Sequence, residues 1–482
     1  MSDPAGRLMR GGIRVLLAES LLIPSGLLTA AYLGRRLGPD GYGLFMVAAA
    51  LVAWVEWGLT GLFARASVKF VAESVDWRPI GSTIVSVHLA LAAAAAVVLA
   101  ASAGVIARLM DTPALAVPLR LFALDIPLFC LAQAHRSILV GIGRFEGRAL
   151  VAAFRWVSRL LLVILFVELG LSIEGAVLGS IGASLVEVVA CRRMVRPALS
   201  ARAALAVGRL WSVVAPLLVS ALAMRFFDRL DLIALTSLGG TPGQAGQYGA
   251  AQNLALLPGL VGTSFTPLLL ATLARAFRDG VHESASRIGS GAMRWVLLLA
   301  PPAALAAGAS DGVVGLVFGP AFAPAAPLVG PLLFAAVAVV MIAVCNSILT
   351  AAGRPGLTAV FTAPLPVVAG LAYLLVIPRF GLLGAAQVTL VTSVVAALAL
   401  CAAVFRVCRV LPPATTLVRS ALTSAAVYAA AVVWSPPGAL VLLELAVLAT
   451  AIVLALVAMG ELTPGELAAW RAWWKRERRP AT

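Results

Sequence analysis

The amino-acid sequence predicts an all-α polytopic membrane protein of about fourteen transmembrane helices. Three observations predict it. The 482-residue chain is 62% hydrophobic and only 12% charged, with a mean hydropathy of +1.03; a soluble domain of that composition has too little polar surface to cover its exterior. Apolar runs of membrane-crossing length recur from end to end, separated by short polar loops. The cations fall in alternate loops, as membrane topology requires.

That pattern also disposes of other classes. A formal charge of +15 suggests nucleic acid, but no soluble basic domain carries it, so nucleic acid is excluded as a partner. Cys130, Cys191, Cys345, Cys401 and Cys408 lie in or beside apolar runs without CxxC spacing, and His88, His135 and His282 form no cluster. They read as buried residues, with no metal and no cofactor implied. Arg7, Arg10 and Arg14 before an apolar run resemble a signal peptide. The run continues past Glu19 and Pro24 to Leu33, so a retained first helix is expected.

In chain order, spans are expected at 13–34, 41–63, 80–107, 116–140, 149–170, 173–195, 210–238, 247–273, 288–308, 327–352, 357–378, 381–405, 416–434 and 438–459. With the N-terminus inside, 25 of the 36 Lys and Arg residues fall in cytoplasmic segments, 5 on the opposite side and 6 within spans. That bias puts both termini in the cytoplasm.

The chain repeats itself. Gly41-Tyr42-Gly43 returns as Gln247-Tyr248-Gly249, Gly143-Arg144 as Gly353-Arg354, and the turn Gly170 to Ala176 as Gly381 to Ala385, at offsets of 206, 210 and 209 residues. Three matches in one order point to two six-helix units in the same orientation, with a transport site between them. The expected division is an N-terminal lobe 1–207, a C-terminal lobe 208–410, two further spans in 411–460, and a basic tail 461–482. In the tail, Thr463 and Glu466 are spaced as a capping box, and Trp470, Trp473 and Trp474 alternate with five cations, fitting an amphipathic helix on anionic lipid. A solvated basic tail is the other reading.

The stretch 209–273 concentrates charge. Arg225, Asp228, Arg229 and Asp231 lie within less than half of one helix face, and Gln252 and Asn253 follow in the next span. Charges inside a span normally face a cavity or one another. This helical pair is therefore expected to form one wall of a wet, charged cavity, with the first helical pair as the other. Arg144, Arg148, Arg155 and Arg159 share one face of span five if that helix is continuous, and Arg136 and Arg294 also lie within spans. Glu19, Glu56, Asp228 and Asp231 are the candidate ion-coupling or gating acids, with Asp125 and Glu187 also in or near spans. At the 206-residue offset Glu19 aligns with Arg225, so the lobes are expected to pair opposite charges across the cavity. The competing reading for span seven is mutual neutralisation of Arg225, Asp228 and Arg229 at helical spacing, and for Glu19 and Glu56 a static ion pair or helix-end charge.

The run Leu33-Gly34-Arg35-Arg36-Leu37-Gly38-Pro39-Asp40-Gly41-Tyr42-Gly43-Leu44-Phe45 resembles the first hairpin of the bacterial polysaccharide-biosynthesis flippases, lipid-linked oligosaccharide transporters of the multidrug/oligosaccharidyl-lipid/polysaccharide (MOP) superfamily. The resemblance continues through Arg65 to Glu73, read as a charged loop, and through Asp231 with Tyr248-Gly249. It ends in Val317 to Phe322, Ala352 to Pro355, and Gly381 to Ala385. It implies two six-helix lobes in a V around a central cavity, alternating access, and helices one, two, seven and eight as the lining.

Such a cargo presents a diphosphate, and the planar guanidinium fork suits it. Arg225, Arg229, Arg159 and Arg155 are therefore the candidate diphosphate ligands, with Gln252 and Asn253 for sugar hydroxyls and Trp57 for a ring face. Snorkelling accounts equally for Arg155, and packing for the two amides. The expected function is passage of a polyprenyl-diphosphate-linked oligosaccharide from the inner to the outer leaflet of the bacterial cytoplasmic membrane, for polysaccharide, O-antigen or exopolysaccharide export. A proton or sodium ion is the expected driver, and membrane lipids and polysaccharide polymerase or export proteins the expected partners. The alternatives are a peptidoglycan-precursor flippase and a multidrug or cation antiporter. An enzyme is not expected: the longest outer loop, 309–326, offers Asp311 as its one titratable group.

Overall fold

The computed structural model describes residues 22–74, 76–198 and 211–462, and every regular element among them is a helix. The first half holds α1 (Leu22–Glu73), α2 (Trp77–Leu109), the short α3 (Ala116–Phe122), α4 (Asp125–Gly141), α5 (Phe145–Phe166) and α6 (Ser172–Met194). The second half holds α7 (Trp211–Ser237), α8 (Pro242–Leu254), α9 (Leu257–Arg278), α10 (His282–Leu297), α11 (Ala300–Gly308), α12 (Ser310–Val317), α13 (Ala326–Ala351), α14 (Pro355–Thr362) and α15 (Leu365–Cys408). Two last helices follow, α16 (Ala414–Trp434) and α17 (Val441–Ala458).

At about 1.5 Å per residue, the 52 residues of α1 and the 44 of α15 far exceed a hydrocarbon layer of about 30 Å. Each is broken at one glycine, Gly38 (φ 68°) or Gly381 (φ 54°), and α5 passes into α6 through Gly170 (φ 89°). A side chain would strain a positive φ, so glycine marks where the chain turns back. Nine stretches among the described residues are long and apolar enough to cross a membrane, and three of them contain these glycines. The helices α7 and α8, which carry the charged and amide residues of 225–253, lie outside those nine.

Four spans expected as continuous are interrupted. The breaks lie between α3 and α4, α8 and α9, α10 and α11, and α14 and α15. In each case the second helix carries a proline in its first turn: Pro127, Pro258, Pro301 or Pro366. Proline lacks the N–H that the preceding turn needs and starts a helix well. The charged stretch 65–73, expected as a loop, is helical to Glu73. The eighth span begins earlier than expected, at Pro242, where Thr241 and Gln244 form a reciprocal capping box.

Within the first half, α5 lies along α6 and α4 packs between α1 and α2; within the second, α13 packs on α15 and α9, and α7 on α15. The halves meet chiefly where α1 lies along α8 and α7. Leu and Val side chains such as Val97, Val98, Leu161, Leu165, Leu371 and Leu375 point outward and are more than half exposed, the inverse of a soluble protein and the surface lipid requires.

The crossing of α1 and α8 is reciprocal. A methyl group on Gly43 would sit 1.8 Å from the carbonyl oxygen of Pro242, and one on Gly246 2.0 Å from that of Pro39. Pro39 and Pro242 each follow a non-helical residue at the start of their helix, so the two helices present the same Pro-x-x-x-Gly edge to one another. This symmetric register is 203 residues, one helical turn from the 206 read from the Gly-Tyr-Gly match. The turn glycines Gly143 and Gly353 share φ 74°, as their sequence match predicts.

The last two helices are tied to the second half by Glu461, which is 3% exposed. Its carboxylate accepts from Arg294 Nε (2.7 Å), Thr416 Oγ1 (2.5 Å) and Arg419 Nη1 (2.9 Å), joining α10, α16 and the end of α17. Burial pushes this carboxyl up, but the hydrogen bonds from Thr416, Arg294 and Arg419 outweigh it and hold it below the usual carboxylate range. Residues 463–482, the expected basic tail, lie outside the described residues.

Two outcomes follow. Gly246→Ala should lower the thermal melting point of detergent-purified protein through an overpacking cost of about 1–3 kcal/mol. Gly259→Ala, with no atom near its Cβ position, should not; equal melting points would contradict the close crossing. Because Glu461 is depressed, its stabilisation is present above the unfolded carboxyl value of about 4.3 and disappears as pH falls through the folded value. Below about pH 4.3 wild type should therefore lose melting temperature more steeply than Glu461→Gln; parallel curves would remove the assignment.

Candidate functional site

The four charges of α7 divide between two environments. Arg225 and Asp228 pair at 3.5 Å, one helical turn apart, with side chains 56% and 34% open to water. The Arg225 guanidinium stacks on the Trp57 ring of α1 at 4.8 Å, and Trp54 meets Phe226 edge-on at 5.3 Å. These contacts bring the two halves together at the second half of α1.

Asp231 faces the other way, into the second half. It is 3% exposed and accepts from Tyr248 Oη (2.8 Å), Gln252 Nε2 (2.8 Å), the Leu232 N–H (2.8 Å) and, more distantly, Thr389 Oγ1 (3.3 Å). Tyr373 Oη adds a bond to Thr389 at 2.8 Å. Both carboxylate oxygens are therefore occupied, as a buried charge requires. Gln252 also accepts from Arg229 Nη1 at 2.9 Å, which fixes the half-buried Arg229 against α8. Asn253 Nδ2 donates across the interface to Tyr42 Oη at 2.8 Å and to its own helix at Gly249 O. Tyr42 is 1% exposed.

A second cluster fills the first half. Glu187 of α6 accepts from Arg136 Nη1 and, at 2.6 Å, from Arg155 Nη1. Phe129 lies against both guanidiniums, 5.4 and 4.9 Å from its ring centroid, and Gln133 takes the Arg136 Nε at 2.9 Å. Among the described residues Arg159, one turn beyond Arg155, has no carboxylate partner, and its Nε is buried without a hydrogen bond. Glu56 and Asp125 are 6% and 4% exposed.

Among the sequence-predicted residues, Arg225, Arg229, Asp228, Asn253 and Gln252 gather about the contact of α1 with α7 and α8. Arg155 is committed to Glu187, so its charge is already paired; Asp231 is held by neutral donors and the two amides by protein partners. Glu19 lies outside the described residues, and with it the proposed pairing to Arg225. Arg294 belongs to the Glu461 cluster. Sequence reasoning missed Tyr373 and Thr389, and the buried role of Tyr42 and Tyr248. The signal was there: the chain has five tyrosines, and a phenol inside an apolar run needs a partner for its hydroxyl.

This arrangement has known parallels. The structure matches a lipid II flippase, MurJ, in an inward closed conformation with a TM-score of 0.76 at 12% identity, covering 93% of this chain and 98% of that one. It matches an inward-facing multidrug resistance MATE family transporter of the MOP superfamily at 0.61 and 14%, covering 86% and 95%. A MOP superfamily transporter from Pyrococcus furiosus Vc1 matches at 0.59 and 14%, covering 88% and 97%. Identities this low show the fold alone, one shared with solved transporters of the MOP superfamily. The family model described as polysaccharide biosynthesis protein matches residues 8–270, over half the chain, and the chain belongs to that family. No curated protein matches. The family resemblance carried by the first hairpin therefore holds.

The Trp57–Arg225 contact gives a direct check. In a chain whose five cysteines are replaced by alanine, Trp57→Cys with Arg225→Cys should be joined by a short bifunctional thiol reagent in native membranes. Failure to join, with both single cysteines labelled, would mean the halves do not meet there.

Proposed function

We propose that this protein moves a polyprenyl-diphosphate-linked oligosaccharide from the inner to the outer leaflet of the cytoplasmic membrane by alternating access, for polysaccharide export. The observation that carries this reading is that Arg225, stacked on Trp57, and Arg229, bound to Gln252, lie on α7 where the two halves meet, beside Asp228. With Asp231 enclosed by hydrogen bonds, the charges of α7 left at that contact are two arginines against Asp228. A cavity of net positive charge attracts an anionic head group and repels the cargo of a cation antiporter. The diphosphate binds through charge-assisted bonds to the guanidiniums, while the polyprenyl chain stays in lipid. Membership of the polysaccharide biosynthesis family supports a glycan cargo, and both termini lie in the cytoplasm on the cation distribution. Polymerase and export proteins are the fitting partners for the delivered product.

A peptidoglycan precursor offers the same diphosphate, and the fold shared with a lipid II flippase keeps it as the second reading. Depleting the protein in its native host and extracting lipids separates the two. Accumulated polyprenyl-diphosphate oligosaccharide of the exported glycan supports the proposal; accumulated peptidoglycan precursor selects the second reading, and accumulation of neither overturns both. Arg229→Ala and Arg159→Ala should each lower transport about tenfold or more at equal protein level, as loss of one charge-assisted bond implies. The surface arginine Arg36, paired with Glu168 at 2.9 Å with both side chains about half exposed, should tolerate alanine.

A further inference from the structure

The loop 309–326, chemically bare in its side chains, grips the first half through its backbone. A helix leaves its last four carbonyls without a partner of its own, and α12 ends at Val317. Two of the four are met by the following turn: the Phe318 N–H donates to Val314 O at 2.8 Å and the Gly319 N–H to Gly315 O at 3.1 Å. The donor next in line for Leu316 would be residue 320, a proline without an N–H. Gly319, at φ 92°, turns the chain away from the helix axis before residue 321 can serve Val317. Both remaining carbonyls are capped by one side chain of α1. Arg35 Nε donates to Val317 O at 2.9 Å, and its Nη2 donates to Leu316 O.

This cap crosses between the halves. A methyl group on Gly312 would collide with Val441 of α17, so α12 is seated on the second half, whereas Arg35 lies on α1, three residues before its break at Gly38. The neighbouring Arg36 stays within the first half, paired with Glu168. Next to the cap the seam is apolar. A methyl group on Gly34 would sit 2.8 Å from Phe318 Cδ1, and the Phe318 and Phe322 rings stand 6.1 and 5.9 Å from that of Tyr42. The two phenylalanines are 2% and 0% exposed, while Arg35 itself is exposed.

We propose that Arg35 is the latch of the outer gate: it fastens α12 of the second half to α1 of the first, and releases both carbonyls when the halves part on that side. The negative end of a helix favours a cation, and the planar fork of arginine can meet two carbonyls at once, which a lysine cannot. Because Arg35 is exposed, water replaces either partner when the bonds break, so the fastening is reversible. A buried pair such as Arg155–Glu187 has no such replacement. The aromatic contacts close the seam while the latch is shut. This role rests on the alternating-access reading and its topology, with the N-terminus inside.

Distances between the halves test it without cargo. In a chain whose five cysteines are replaced by alanine, spin labels at Leu171→Cys and Phe380→Cys sit on exposed positions beside Gly170 and Gly381, one on each half. Double electron–electron resonance on the protein in lipid nanodiscs then reads their separation. Arg35→Ala should shift the distribution to longer distances, since loss of bonds made only in the closed form moves the equilibrium towards the open one. Arg35→Lys should fall between that variant and wild type, and Arg36→Ala should match wild type. A distribution unmoved by Arg35→Ala overturns the latch and leaves a cap that merely anchors a loop; an equal shift in Arg36→Ala overturns it as a general effect of charge. Should Arg35→Ala fail to fold, Arg35→Gln, which keeps the stem and loses the charged fork, decides by the same distance. No cargo enters this measurement, so an unmoved distance leaves the lipid-accumulation outcome standing, and failure of that outcome leaves the distances as read.

Discussion

A charge in hydrocarbon must be paired, wetted or neutralised, and the arrangement of this protein follows from that constraint. Its interior charges fall into the corresponding groups. Glu187 is paired with two arginines, and Glu461 with two more at the membrane edge. Asp231 is surrounded by hydroxyl, amide and backbone donors from α7, α8 and α15. Arg225 and Asp228 pair with each other and keep accessible surface. These solutions require different neighbours, so each fixes a different part of the fold. The Glu187 cluster ties α4, α5 and α6 into one body, and the Asp231 network ties α7, α8 and α15 into another.

Much of this was legible in the sequence, for reasons that can be named. The membrane class follows from composition, and the hairpin turns at Gly38, Gly170 and Gly381 from glycine placed between apolar runs. The gathering of Arg225, Arg229, Gln252 and Asn253 follows from helical periodicity, because i, i+3 and i+4 neighbours share a face. The four mid-span breaks were hidden because hydropathy does not register a missing N–H; the prolines at 127, 258, 301 and 366 were the readable sign. The capacity of Arg155 to meet Glu187 was hidden for another reason. The two lie on different helices, and periodicity along one helix says nothing about which face meets which neighbour. The same limit explains the register of the halves. The matching tyrosines Tyr42 and Tyr248 suggested one alignment, whereas backbone contact at Gly43 and Gly246 sets another, since close packing there depends on a side chain that is absent.

The division of α7 carries a functional consequence. Arg229 stands between the two environments: it donates to Gln252, which donates to Asp231. On the function proposed above, a diphosphate drawing on Arg229 would compete with Gln252 and, through it, loosen one donor of a buried carboxylate. That single amide would connect ligand and lobe packing over two hydrogen bonds.

Magnitudes decide where such a molecule opens. Breaking a buried ion pair such as Arg155–Glu187 leaves an uncompensated charge and costs about 3–5 kcal/mol, so each half resists deformation. Between the halves the contacts are of a weaker kind. The reciprocal approach of Pro39 to Gly246 and of Pro242 to Gly43 brings backbone carbonyls against Cα–H groups, worth about 0.5–1 kcal/mol each. The Arg225–Trp57 stack in a wet setting is worth about the same, and the Asn253–Tyr42 bond about 1 kcal/mol. One contact group lies at the start of α1's second segment and the other further along it, with Tyr42 close to the first. Separating either group alone costs little compared with bending a half, so the alternating access proposed above would part the halves as bodies, at one end while they stay in touch at the other. Glycine at the crossing of Pro39 with Gly246 suits that balance: a larger residue would hold the helices apart, and a buried ion pair there would hold them together too firmly to part.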